Sequence, residues 1–173
     1  MGGGGLYRLL CPDMTVNTLH EIDLNDLERL GICGIIFDLD NTIVPWNSLE
    51  MCPRITDWLN EVQARGFKVA IVSNNWQKRV KEIAQRFNLP FVSRAYKPAK
   101  AGFRRALAVL GVQPHQAAVV GDQLFTDILG GNRLGLYTIW VKPLTTKEFI
   151  GTRIHRQFEK LAVLLLRAKG LMK

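Results

Sequence analysis

Short apolar runs and amphipathic stretches alternate along the middle of the chain. The apolar runs are typical of strands buried in a parallel sheet, and they occupy residues 32–37, 67–72, 91–93, 117–120 and 137–141. Between the first two runs, apolar residues recur at helical spacing at Ile55, Trp58, Leu59 and Val62. This alternation predicts an α/β fold, in which a parallel sheet is built through right-handed helical crossovers.

Two further segments precede the first apolar run. The N-terminal residues show no sustained period and are expected to be irregular. Thr18 and Glu21 have the spacing of a capping box, which predicts a helix with Leu24 and Leu27 facing inward that ends near Gly31. The chain is therefore divided into an irregular segment, a main domain and a C-terminal helix, at residues 1–17, 18–150 and 151–173.

Polar side chains stand at or shortly after the ends of four predicted strands. They are Asp38, Asp40, Ser73, Lys97, Asp122 and Asp127. Each alone is typical of a turn, a helix cap or a solvated lysine. Parallel strands, however, place their carboxyl ends at one edge of the sheet, where α/β proteins bind ligands. Two carboxylates one residue apart repel each other, and a hard cation such as Mg2+ relieves that repulsion while one carboxylate attacks phosphorus and the other transfers a proton.

Four motifs in this order resemble those of the haloacid dehalogenase-like (HAD) superfamily of phosphohydrolases. The matching stretches are FDLDNT at 37–42, IVSNN at 71–75, YKP at 96–98 and VVGDQLFTD at 119–127. The resemblance implies a Rossmann-like parallel sheet with strand order 5-4-1-2-3, counted from the first apolar run, and helices on both faces. It also implies an active site at the carboxyl edge beside the first strand.

The resemblance assigns roles to the acidic residues. Asp38 would attack phosphorus and form an aspartyl-phosphate. Asp40 would act as general acid and then as general base, and its backbone carbonyl would bind Mg2+. Asp122 would bind Mg2+ together with Asp38, and Asp127 would hold Asp122 or a metal-bound water.

The other motif residues are expected to handle the phosphate. Ser73 would donate its hydroxyl to the phosphoryl oxygens, and Lys97 would neutralise charge on the nucleophile and the phosphate. Lys100 is the alternative to Lys97, which has the Lys-Pro context of the family. Three residues at the ends of the first two motifs are predicted by position to bind substrate, namely Thr42, Asn74 and Asn75.

The distances between motifs leave no room for the cap domain that many superfamily members insert. There are 33 positions from Asp40 to Ser73 and 24 from Ser73 to Lys97, and predicted elements fill both gaps. An open site is therefore expected, which suits a lipid, a protein or a nucleic-acid end. A small metabolite remains an alternative if a loop or an oligomer neighbour supplies a lid.

A narrower resemblance is to the YqeG-type branch, which includes mitochondrial and plant phosphatidylglycerophosphate phosphatases. It rests on LLCPDMTVNTLHEID at 9–23, DLDNTIVPW at 38–46 and SNNWQKRV at 73–80. It implies Mg2+-dependent removal of the terminal phosphate of phosphatidylglycerophosphate, giving phosphatidylglycerol. Rival interpretations are a phosphoacceptor domain of the receiver type and an RNA-binding protein, although the tail has few aromatic residues for base stacking.

Charge changes the picture only at the C-terminus. The net charge is +8, and residues 142–173 hold eight basic and two acidic residues, which favours anionic partners such as acidic phospholipid. The segment predicts a basic amphipathic helix that either packs on the sheet or lies on an anionic membrane. Ile154, Phe158, Leu161 and Leu165 share its apolar face.

The apolar stretches, the N-terminal sequence and the cysteines indicate the cellular compartment of the protein. No apolar stretch approaches the ~20 residues of a membrane span, and the N-terminus lacks the pattern of a signal peptide. Three widely spaced cysteines favour a reducing compartment. The protein is expected in the cytoplasm, either free or peripherally bound at the inner face of the membrane.

Overall fold

The computed structural model describes residues 5–145 and 150–171, with side chains described for 7–145 and 157–171. A six-stranded sheet organises the described residues, and all of its paired strands are parallel. The strands are β1 (Met14–Val16), β2 (Gly34–Phe37), β3 (Lys68–Val72), β4 (Phe91–Val92), β5 (Ala117–Gly121) and β6 (Tyr137–Val141).

The spatial order of the strands is β1-β6-β5-β2-β3-β4. The five predicted strands are β2 to β6, so their predicted order 5-4-1-2-3 is confirmed. The additional strand β1 pairs with β6 in the register Met14↔Ile139. The irregular interpretation of residues 1–17 is therefore wrong at β1.

Polar contacts beside β1 explain why this strand forms. The Asp13 carboxylate accepts hydrogen bonds from the backbone N–H of Thr138 at 2.7 Å and from its hydroxyl at 2.9 Å. These bonds hold the start of β1 against the start of β6. A three-residue strand is too short to show a hydrophobic period, so its partner at the far end of the domain decides its conformation.

Seven α-helices accompany the sheet in the described residues, together with two 3-10 turns and a π-helix at Leu124–Ile128. They are α1 (Gly5–Arg8), α2 (Leu24–Arg29), α3 (Pro53–Ala64), α4 (Gln77–Arg86), α5 (Lys100–Leu110), α6 (Leu129–Asn132) and α7 (Ile150–Ala168). The predicted helix from Thr18 is wrong in one respect, because residues 19–21 form a separate 3-10 turn. The helix with Leu24 and Leu27 inward begins afterwards, where the Asp23 carboxylate caps the backbone N–H of Asn25 at 2.8 Å.

Apolar side chains fill both faces of the sheet. Successive residues of a strand point to opposite faces, and β2 shows this directly. Ile35 and Phe37 belong to one buried cluster with Trp58, while Ile36 belongs to a second cluster with Phe103. With both faces covered, the carboxyl edge of the strands is where loops can present polar groups.

The C-terminal helix α7 packs on the domain through a different face from the predicted apolar one. Glu159 and Leu166 are buried, whereas Phe158, Leu161 and Leu165 are 59%, 55% and 45% exposed. One residue of the predicted apolar face, Ile154, lies outside the described side chains. Among the described residues, no helix combines the length and the apolar character needed to cross a bilayer.

Candidate active site

Asp38, Lys97 and Asp127 form a buried ion cluster at the carboxyl edge of the sheet. Asp38 directly follows β2, and its backbone N–H extends the ladder by bonding to Val120 O at 2.9 Å. The Lys97 ammonium reaches over from the loop after β4, donating to Asp38 Oδ1 and, at 2.6 Å, to Asp127 Oδ1. All three side chains are almost fully buried, so the structure brings these predicted site residues together.

Asp122 completes a trio of carboxylates. One oxygen each from Asp38, Asp122 and Asp127 lies within 4.8 Å of the others, and all three residues are buried. Thr42, which is fully buried, donates its hydroxyl to Asp122 Oδ1 at 3.4 Å. Thr42 was predicted to bind substrate, and the structure places it against this carboxylate.

Burial and charge shift the ionisation of the cluster. Burial raises the pKa of Asp38 to about 7, the Lys97 ammonium opposes that rise, and the nearby carboxylates of Asp127 and Asp40 add to it. Burial alone would lower the pKa of Lys97, but Asp127 and Asp38 together outweigh burial, and the pKa is raised above its ordinary value. Lys97 therefore stays a cation at neutral pH.

Gly121 makes room for this cluster at the end of β5. A Cβ at this position would overlap the carboxylate of Asp127. Asp127 lies in the π-helix Leu124–Ile128 after β5, where its second oxygen accepts from the backbone N–H of Gln123 at 3.2 Å. The Gly-Asp pair in the fourth motif is therefore required sterically, because only glycine allows Asp127 to reach Lys97.

Asp40 is held by a residue that the sequence analysis missed. The guanidinium of Arg79, on α4, forms an ion pair with Asp40 Oδ1. The carboxamide of Asn75 donates to Asp40 Oδ2 at 3.0 Å. Arg79 also bonds the backbone carbonyls of Pro45 at 3.3 Å and Ser48 at 2.6 Å. It thereby ties the proposed acid/base to the loop after β2.

The signal for Arg79 was present but ambiguous. It lies six residues after Ser73, on α4, where the neighbouring cations Lys78 and Lys81 are exposed surface residues. Its position one helical turn beyond the second motif could have marked it. Nothing local distinguishes a cation that faces the site from one that faces solvent.

Ser73 and Asn74 shape the loop after β3. Ser73 is buried and its Oγ accepts from the backbone N–H of Asn75 at 3.1 Å. Asn74 was predicted to bind substrate, and its carboxamide bonds both backbone groups of Lys97, accepting from N–H at 2.7 Å and donating to the carbonyl at 3.2 Å. In this structure Asn74 sets the position of Lys97. Lys100 begins α5 and has no contact with the cluster among those the structure gives.

Asn41 turns the chain directly after Asp40. Its φ of 60° is left-handed, a conformation that Asn tolerates better than most residues. Its side-chain oxygen accepts from Trp46 N–H at 3.1 Å and from the Thr145 hydroxyl at 2.9 Å, and its backbone carbonyl accepts from Leu144 N–H at 2.9 Å. The first motif is thereby fixed to the segment that follows β6.

The carboxylate trio suits a hard divalent cation. Mg2+ prefers oxygen ligands and usually keeps several waters. Three buried carboxylates within 4.8 Å repel one another, and a cation between them relieves that repulsion. Both oxygens of Asp127 accept hydrogen bonds, from Lys97 and from Gln123 N–H, whereas Lys97 contacts only Oδ1 of Asp38. Asp38 together with Asp122 could therefore hold the ion.

The chain matches a family of known proteins. The model of the haloacid dehalogenase-like hydrolase family matches residues 45–135. The probable phosphatase YqeG of Bacillus subtilis is 39% identical over 165 residues, covering 95% of this chain and 96% of that protein. This chain belongs to the haloacid dehalogenase-like hydrolase family. It is a HAD-type phosphatase, as the sequence predicted.

Another relative of the HAD phosphatase is named for a lipid substrate. The chloroplastic phosphatidylglycerophosphate phosphatase 1 of Chlamydomonas reinhardtii is 31% identical, and the match covers 92% of this chain. The chain spans 63% of the length of that relative.

Solved structures support the fold alone. An uncharacterized protein from Listeria monocytogenes matches with a TM-score of 0.56 at 22% identity, over 68% of this chain and 85% of that one. The cobalt-bound deoxy-D-mannose-octulosonate 8-phosphate phosphatase from Haemophilus influenzae matches with a TM-score of 0.53 at 13% identity, over 82% and 91%. In the described residues of the HAD phosphatase, no cap domain interrupts the sheet, as predicted.

Proposed function

We propose that this phosphatase is a Mg2+-dependent phosphomonoesterase that removes the terminal phosphate of phosphatidylglycerophosphate through an aspartyl-phosphate on Asp38. The observation that carries the proposal is the buried cluster in which Asp38 meets Lys97 beside Asp122 and Asp127. It stands at the carboxyl edge of the sheet, where α/β proteins bind ligands.

The first half-reaction requires a nucleophile, a leaving-group acid and charge neutralisation. An Asp38 oxygen forms a bond to phosphorus as the ester P–O bond breaks. Asp40 gives its proton to the departing alkoxide. Lys97 already contacts Asp38 and balances negative charge on the nucleophile and the transferring group. When bound, Mg2+ would supply Lewis-acid stabilisation of the phosphoryl oxygens.

The second half-reaction restores the enzyme. A water attacks phosphorus, its proton passes to Asp40, and the bond between phosphorus and Asp38 breaks. Inorganic phosphate leaves and Asp38 is again a carboxylate. Ser73, which is buried at the end of β3, donates its hydroxyl to a phosphoryl oxygen, and the amide of Asn75 keeps Asp40 oriented. Thr42 fixes Asp122.

Two observations support a lipid substrate. Two relatives are named phosphatidylglycerophosphate phosphatase, one from Chlamydomonas reinhardtii and one from Arabidopsis thaliana, at 31% and 27% identity. The described residues also include no cap domain that would enclose a small ester. A substrate held in a membrane needs such an open site, because most of it stays outside the protein.

Helix α7 carries a surface suited to an anionic membrane. Phe158, Leu161 and Leu165 form an exposed apolar stripe on it. In residues 157–171 the exposed charges are all basic, and the acidic Glu159 is buried. A second copy would bring two positive faces together, whereas acidic lipid headgroups would pair with them. We therefore assign this stripe to peripheral contact with an anionic lipid surface.

The enzymatic proposal is tested by phosphate release. Purified protein is assayed with phosphatidylglycerophosphate in mixed micelles and with a panel of soluble phosphate esters, with Mg2+ or with EDTA. We expect Mg2+-dependent release with a strong preference for the lipid, and no release by Asp38→Asn. Release from soluble esters alone would keep the chemistry and exclude the lipid. A persistent phosphoprotein without turnover would instead indicate a phosphoacceptor.

The membrane proposal is tested separately by vesicle sedimentation. Leu161→Ser and Leu165→Ser remove apolar surface from the stripe, and Val109→Ser removes a similarly exposed side chain from α5. We expect binding to vesicles that contain phosphatidylglycerol, weaker binding by the two α7 variants, and no change for the control. Equal binding by all variants would exclude this stripe, and loss of binding only in high salt would assign the contact to charge alone.

A further inference from the structure

An apolar groove lies between α7 and the segment that follows β6. The described residues leave a volume of about 450 Å³ there, within the roughly 300–1,000 Å³ of typical ligand pockets. It is lined by Trp140, Pro143, Glu159, Lys160, Val163 and Leu164. None of these residues is needed for the phosphoryl-transfer steps described above.

The groove shares the Trp140 side chain with the loop that carries Asp122. The indole N–H of Trp140 donates to the backbone carbonyl of Asp122 at 3.0 Å, and the same side chain forms one wall of the groove. Trp140 therefore contacts both the groove and the backbone of a residue that belongs to the carboxylate trio. A molecule lying in the groove would be next to the loop that carries Asp122.

The walls of the groove favour hydrocarbon. Val163, Leu164, Pro143 and the indole ring supply apolar surface. Glu159 is buried, and its carboxylate accepts a hydrogen bond from the backbone N–H of Phe125 at 3.4 Å. That carboxylate is thus occupied in holding α7 to the turn after β5.

The outer wall connects the groove to the proposed membrane-facing surface. Leu164 lines the groove and is 63% exposed, on the side of α7 next to Leu161 and Leu165. Lys160 is exposed beside it, where its ammonium can pair with an anionic headgroup. A lipid leaving an anionic membrane at α7 would therefore meet this groove before the carboxylates.

We propose that this groove binds one acyl chain of the substrate lipid while its terminal phosphate occupies the site at Asp38. The inference rests on the proposed lipid phosphatase activity and identifies which part of the lipid the protein recognises. Burial of the methylene groups of the chain against apolar walls favours such binding. The groove would thus do part of the work that a cap domain does for small substrates.

The test compares two soluble substrates that differ only in their acyl chains. Phosphatidylglycerophosphate with two hexanoyl chains, kept below its critical micelle concentration, is compared with the fully deacylated glycerophosphoglycerophosphate. Both are monomeric, so attachment to membranes does not contribute. For the wild-type protein we expect kcat/KM to be at least about tenfold higher with chains than without, a difference of about 1.4 kcal/mol.

Variants of the groove locate the effect. Val163→Trp fills the groove, and Leu164→Ser removes apolar wall at an exposed position that tolerates change. Val109→Trp is the control for the added indole, because it places the same side chain at an exposed position on α5, outside the groove. We expect both groove variants to lose most of the preference for the acylated substrate through KM, with unchanged kcat/KM for the deacylated one. The control should retain the preference.

The outcomes separate the two proposals. An acyl preference that survives in both folded groove variants would overturn the groove assignment and leave the lipid phosphatase intact. Equal kcat/KM for both substrates in the wild-type protein would also overturn it, while activity on long-chain lipid in micelles would still support the enzyme. No release from any form of the lipid would remove the proposed function itself.

Discussion

The Asp38→Asn variant measures how much stability the protein loses by burying the Asp38 carboxylate, independently of the role of Asp38 in catalysis. Burial raises the pKa of Asp38 from 3.8 to about 7. Between these values the folded protein keeps a proton that the unfolded chain releases. In the metal-free protein, the stability that the protonated Asp38 contributes is fully present below pH 3.8. It is lost progressively as the pH rises from there through about 7. A rise of about three pKa units corresponds to about 4 kcal/mol, at 1.36 kcal/mol per unit.

The asparagine variant avoids this loss because it does not ionise. In EDTA we expect its free energy of unfolding to exceed that of the wild-type protein by about 2 kcal/mol at pH 5 and by about 4 kcal/mol at pH 8. Urea unfolding followed by far-UV circular dichroism at both pH values measures the gap. Mg2+ should raise the stability of the wild-type protein at pH 8 and leave the variant nearly unchanged, because binding needs the Asp38 carboxylate.

Asp57→Asn is the matched control for this experiment. Asp57 is an exposed aspartate on α3, and a surface substitution of this kind changes stability by about 0.5 kcal/mol or less. A variant at Asp38 that is no more stable than the wild-type protein at pH 8 would refute the reasoning. So would a stability gap that stays constant from pH 5 to pH 8, since the gap arises from ionisation.

Three further substitutions test the contacts around the site. Lys97→Met removes the cation from a buried cluster, and we expect a loss of about 3–5 kcal/mol in urea unfolding together with loss of phosphate release; unchanged stability would contradict the ion pairing. Gly121→Ala places a methyl group where the Asp127 carboxylate lies, so we expect the free energy of unfolding to fall by about 1–3 kcal/mol. We also expect a lower affinity for Mg2+, measured by calorimetry. An unaltered metal affinity would contradict the steric argument. Arg79→Leu releases Asp40 from its ion pair. We expect kcat/KM to fall about 100-fold for an alkyl phosphate, whose leaving group needs a positioned acid, but much less for p-nitrophenyl phosphate. Equal losses for both esters would indicate a purely structural role of Arg79.

The central part of the fold and the cluster were predictable because their signals are local. Each motif stands directly beside an apolar run, and parallel strands bring their carboxyl ends to one edge. Asp38, Lys97 and Asp127 lie 30 or 59 residues apart in their hydrogen-bonded pairs. Sequence order and sheet topology were nevertheless sufficient to predict that they meet.

The features that the sequence did not predict depend on partners far along the chain. Strand β1 forms because Asp13 bonds Thr138, 125 residues away. Arg79 faces the site because Asp40 and the carbonyl of Ser48 lie within reach of it, and helical periodicity alone does not indicate which cation does so. Helix α7 packs on the domain through the face that carries Glu159, whose carboxylate accepts a hydrogen bond from the Phe125 N–H. The apolar stripe that the sequence indicates lies on a different face.

Trapping the covalent intermediate tests the central claim most directly. The protein is mixed with substrate and Mg2+, quenched in acid and reduced with borohydride, which converts an aspartyl-phosphate into homoserine. Residues 30–54 form one tryptic peptide that contains both Asp38 and Asp40, and fragmentation by mass spectrometry distinguishes the two positions. We predict homoserine at position 38. Homoserine at another aspartate, or none in a sample that releases phosphate, would contradict the account.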